Sequence, residues 1–100
     1  MIKIKVNKEN EIYKSISIKG HAGYAEEGYD IVCASVSSIA ITTINAIISI
    51  DSSSIVYSEE DGLIEIGVLR SNDIVNKLLD NMINMLEELK EQYKKYIEIR

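Results

Sequence analysis

His21 and Cys33 are the one imidazole and the one thiol in the chain, and both flank a single glycine-spaced stretch, Gly20-His21-Ala22-Gly23-Tyr24-Ala25-Glu26-Glu27-Gly28-Tyr29-Asp30. A thiol and an imidazole within reach of each other are the minimal set for nucleophilic acyl transfer, the imidazole acting first as general base and then as general acid. His21 sits between glycines, away from any apolar stripe, so it does not read as a core histidine. A connecting stretch of this length can fold back and bring the two groups together.

Cys33 stands near the start of an uncharged apolar segment that runs from Ile31 to Ile50. With Asp30 as N-cap, Cys33 falls at the third helical position, where open backbone N–H groups and the positive end of the dipole favour a thiolate. The amides of Cys33 or Ala34 would then offer an oxyanion hole. The bland alternative is a small buried hydrophobe in a core helix, and residue types alone leave both readings open. Asp30 likewise has two roles, cap or third member orienting His21, and a carboxylate beside Cys33 opposes thiolate formation. Gly20, Gly23 and Gly28 permit unusual backbone angles or close approach of a substrate strand. Tyr24 and Tyr29 are packing residues or groove walls. Ser37, one turn beyond Cys33, is a pocket wall or an internally bonded helix serine.

Other chemistries fit less well. One His and one Cys do not make a zinc site, and there is no Gly-x-Ser-x-Gly, Walker loop or Cys-x-x-Cys. Neither a metal nor a cofactor is expected. A net charge of −5 argues against direct nucleic-acid binding. A lone cysteine points to a reducing cytoplasm. The segment Ile31 to Ile50 is long enough to span a bilayer, but seven of its positions are Ser, Thr or Asn and it is flanked by Asp30 and Asp51. It reads as a helix buried inside a soluble domain, with no membrane partner.

The elements that must position these residues follow from periodicity. Ile2, Ile4 and Val6 alternate with Lys3 and Lys5 in a first strand, and Asn7-Lys8-Glu9-Asn10 reads as a turn. Ile12, Ile16 and Ile18 share the inner face of a second strand. The helix from Asp30, apolar nearly all round, needs cover on most sides and ends at Asp51-Ser52-Ser53-Ser54. Ile55-Val56-Tyr57 and Leu63 to Ile66 form a second hairpin around Asp61-Gly62. Ser71, Asn72 or Asp73 caps a second helix with the stripe Val75, Leu78, Leu79, Met82, Ile83, Leu86, Leu89. Tyr96, Ile97 and Ile99 close the chain as a short strand. The order is ββαββαβ, a single α+β domain over residues 1–100 with two helices covering one sheet. A helix as apolar as the first makes a homodimer interface a reasonable expectation.

At Gly20-His21-Ala22 and at Gly28-Tyr29-Asp30-Ile31-Val32-Cys33-Ala34, continuing to Val36-Ser37, the sequence resembles the ribosomal-processing cysteine protease family, Prp. Ser35 stands where that family often has Ala. The resemblance implies that Cys33 is the nucleophile and His21 the base, with Asp30 near the dyad. It implies a substrate-binding loop through Gly20, Ala22, Gly23, Tyr24, Gly28 and Tyr29 that orders over the substrate, and a homodimer. The implied reaction is removal of a short N-terminal extension from a basic ribosomal protein precursor, the twenty-seventh protein of the large subunit. The competing classes are a non-catalytic module that binds ribosomal proteins or assembly intermediates, and a thiol redox sensor.

Overall fold

The computed structural model describes residues 1–20, 27–60 and 62–100, with side chains of 27–30 left undescribed. Strands β1 (Ile2–Glu9) and β2 (Ile12–Lys19) form the first hairpin. Asn10 and Glu11 both have positive φ, 53° and 64°, the backbone of a two-residue turn whose twist matches the strands. The turn expected at Asn7–Asn10 is therefore shifted. Asn7, Lys8 and Glu9 are exposed, so they read as turn residues by composition while still keeping strand pairing with β2.

A bulge also corrects the face of Ile12. Asn7 pairs with Ser15 but Lys8 pairs with Tyr13, which leaves Lys14 without an opposite residue. One extra residue flips the alternation. Tyr13 turns inward at 3% exposure, Ile12 turns out at 38%, and Ile16 and Ile18 stay buried.

Helix α1 (Glu27–Ile50) is followed by β3 (Ile55–Glu60), β4 (Leu63–Val68), α2 (Asp73–Gln92) and β5 (Ile97–Ile99). The ββαββαβ order is as expected. The five-stranded sheet runs β3-β4-β2-β1-β5, antiparallel except for β5 alongside β1. Ile2, Ile4, Ile16, Ile18, Ile64, Ile66 and Ile97 line one face, essentially without exposure, and both helices share their core. Burying each such side chain contributes roughly 1.5–3 kcal/mol. The other face is open and carries the alternating polar residues.

Asn72 caps α2, its Oδ1 accepting from the Val75 amide at 2.9 Å. Val75, Leu79, Met82 and Leu86 are buried along the expected stripe. Helix α1 departs from expectation. Val32, Cys33, Val36, Ala40, Thr43, Ile44 and Ile47 form one buried stripe, whereas Ile31, Ala34, Ser38, Thr42, Asn45 and Ser49 are exposed. The helix is covered on one side, and its small uncharged residues face outward. At its end Asp51 accepts from Ser53 Oγ at 2.8 Å and stands 3.6 Å from Arg70. The Ser53 hydrogen bonds first, and Arg70 after them, hold the Asp51 carboxyl below its ordinary range.

Candidate active site

Helix α1 starts at Glu27, not after Asp30, so Asp30 lies within the helix and is not its N-cap. The sequence suits the earlier start: acidic residue types at 27 and 30 are those the dipole favours in a first helical turn. Gly28 and Tyr29 consequently belong to the helix and not to the loop in which they were expected. Cys33 is the seventh helical residue, about 9 Å along the axis from the first. The dipole fades within the first turn, so it supports a thiolate at Cys33 less than the expected cap geometry would. The amides of Cys33 and Ala34 point back to the carbonyls of Tyr29 and Asp30 in the helical pattern, which removes them as oxyanion donors. In a helix that begins at Glu27, the first-turn amides of Glu27, Gly28 and Tyr29 have no acceptor within the helix itself.

The helical period nevertheless groups three of the expected residues. At 100° per residue, Asp30, Cys33 and Ser37 fall within about 60° of one another on one edge of the α1 stripe. Cys33 is 8% exposed and shares the core with Val32 and Val36, both fully buried. Ser37 is half-buried, whereas Ala34 is exposed and lies about a quarter-turn away. Ser35 donates its hydroxyl to the Ile31 carbonyl at 2.9 Å, so the departure from Ala at this position is absorbed within the helix.

On the other side of the connecting stretch, Gly20 follows β2 with φ +98°. Its amide donates to the Gly62 carbonyl at 2.8 Å. A Cβ at Gly20 would stand 2.7 Å from the Met1 carbonyl oxygen, so both the angle and the space demand glycine. His21, Ala22, Gly23 and Tyr24 lie outside the described residues. The earlier helix start was missed by sequence reasoning, although the acidic pair Glu26-Glu27 was a signal for it.

Comparison with known proteins gives this geometry its context. Residues 1–98 match the family described as "Cysteine protease Prp". The ribosomal processing cysteine protease Prp of Staphylococcus aureus, in strains Mu50 and NCTC 8325, is 33% identical over 98% of this chain and 94% of its own length. The crystal structure of the Staphylococcus aureus protease with a substrate peptide superposes with a TM-score of 0.93 at 28% identity, covering 100% of this chain and 98% of that one. A second, with a covalently linked product peptide, gives 0.88 at 29% over the same shares. The chain therefore belongs to the Prp family of ribosomal processing cysteine proteases.

Proposed function

We propose that the protein is a cytoplasmic cysteine endopeptidase that removes the N-terminal extension of a large-subunit ribosomal protein precursor, the twenty-seventh protein of that subunit, with Cys33 as nucleophile and His21 as base. The observation that carries this reading is the single thiol of the chain, set beside Asp30 and Ser37 on one helix edge, within a family match that spans 98 residues. A relative has been solved with a covalently linked product peptide, and Cys33 is the one thiol of this chain.

His21 removes the thiol proton, and the sulfur attacks the scissile carbonyl carbon. Amides near the start of α1 hold the developing oxyanion. The C–N bond then breaks as protonated His21 delivers its proton to the leaving amine, giving a thioester on Cys33. Water, deprotonated by His21, attacks the thioester; the carboxylic acid leaves and the thiol is restored. Val36 and Ala40 close the stripe beyond Cys33, and helical side chains lean towards the N-terminus, so substrate approaches from the helix-start side. An acidic balance of −5 favours a basic precursor. The uncharged outer face of α1, with Ile31 at 50% exposure, fits a second copy of the chain.

The test is cleavage of a peptide copying the extension. Wild type cuts it, while Cys33→Ala and His21→Ala lose roughly 10³-fold or more with unchanged melting. Cleavage by Cys33→Ala at the wild-type rate would overturn the reading. The burial of Cys33 favours one alternative, a binding module with an inert thiol. There, alkylation is slow and flat with pH, and Cys33→Ser retains function.

A further inference from the structure

The open face of the sheet separates charge in a way the net value conceals. Lys3 and Lys5 on β1, Lys19 on β2 and Arg100 beyond β5 are all exposed. With Ser17 they line one shallow depression of about 300 Å³. Lys3 lies directly opposite Lys19 in the β1–β2 register, and Lys5 opposite Ser17. Like charges facing each other across a strand pair are destabilising; on its other side Lys3 stands opposite Glu98 of β5. Among the described residues, none of the three lysines forms an ion pair; Arg100 does, with Glu98 at 3.0 Å. The next carboxylate on this face, Glu65, pairs with Ser17 from the far side. Lys3, Lys5, Lys19 and Arg100 therefore stand together around one depression, with Glu98 and Glu65 at its margins, on a chain of net charge −5.

We propose that this face binds the phosphate backbone of RNA. The lining contains no apolar or aromatic side chain. That argues against a folded or extended acidic polypeptide, because protein interfaces draw their affinity from apolar and aromatic anchors. It equally rules out base stacking as the main contact. What the face offers is point charges on a two-residue period along β1 and on neighbouring strands, the arrangement that a chain of phosphates matches. Binding is accordingly independent of sequence. Lys19 immediately precedes Gly20 and the His21 segment, so RNA held here lies next to the start of the candidate catalytic stretch. The acidic balance that excludes nucleic acid for the chain as a whole does not describe this face. The inference does not depend on the proteolytic reading.

The experiment follows the fluorescence anisotropy of a labelled oligouridylate titrated with the full chain. About three phosphates neutralised give a slope of about −2 in log affinity against log salt, a roughly twentyfold loss between about 50 and 200 mM. Lys3→Glu/Lys5→Glu/Lys19→Glu abolishes binding, and the milder triple change to Gln weakens it at least tenfold. Lys77→Glu/Lys94→Glu/Lys95→Glu, which alters net charge equally on other surfaces, keeps most of it. Lys3→Glu alone also weakens RNA binding. Peptide cleavage by the patch variants is unchanged, whereas Cys33→Ala still binds RNA, so the two readings fail separately. No binding at low salt, equal loss in the control variant, or tighter binding of a polyglutamate peptide than of RNA overturns the proposal.

Discussion

The amide of Gly20 donates to the carbonyl of Gly62 at 2.8 Å, which ties the end of β2 to the turn between β3 and β4. That bond anchors Gly20, the residue immediately before His21 in the sequence. Gly20→Ala adds a Cβ against the Met1 carbonyl oxygen at φ +98°. The expected cost is about 1–3 kcal/mol of stability, read by urea unfolding. Peptide cleavage should fall by more than the unfolded fraction explains, because the path to His21 is displaced. A variant with wild-type melting and wild-type cleavage contradicts this role.

Tyr13 joins the sheet to α2. Its hydroxyl donates to Asp80 at 2.5 Å, and its ring lies under Lys8 Nζ at 4.6 Å. Burial foremost, and then the bond to Asp80, push the phenol well above its ordinary value of 10.0. A raised pKa on an acid favours the protonated form in the folded state. The resulting stability is complete below pH 10 and is lost as pH rises above it. Tyr13→Phe should lower stability by about 1–2 kcal/mol at neutral pH and flatten the alkaline limb of the stability curve. Urea midpoints measured from pH 8 to 11 check both. An alkaline limb equally steep in the variant would show that other groups govern it.

How much of this was legible follows from which signals are local. The α2 stripe and its Asn72 cap were readable because the helical period and the cap chemistry are both written in consecutive residues. Lys14 was not. A bulge is decided by the pairing partner, so the inward turn of Tyr13 and the outward turn of Ile12 appear only once β1 lies alongside. The start of α1 was misplaced because Glu26, Glu27 and Asp30 are all acids suited to a helix N-terminus, and the choice among them rests on the path of the preceding chain. Lys3, Lys5 and Lys19 looked like the ordinary polar half of two strands; their convergence needed the register. The candidate site was legible as residue types and as a family motif, whereas the joining of Cys33 with His21 rests on a stretch outside the described residues.

Asp30 offers the sharpest separation between scaffold and chemistry. Asp30 lies inside the first turn of α1 and is not its cap, a position where a carboxylate is worth roughly 0.3–1 kcal/mol against the helix dipole. Asp30→Asn should therefore shift stability by no more than that amount. If Asp30 acts as a positioning residue for His21, three positions before Cys33 on the same helix edge, the same change lowers kcat/KM at least tenfold and moves the acidic limb of its pH profile, since the imidazolium loses a neighbouring negative charge. Asp30→Glu, with the charge restored on a longer arm, should recover part of the rate. Pairing urea unfolding with cleavage across pH 5 to 9 reads both quantities on the same preparations. An Asn variant that loses stability and activity in proportion, with an unmoved pH profile, would leave Asp30 as a purely structural first-turn carboxylate.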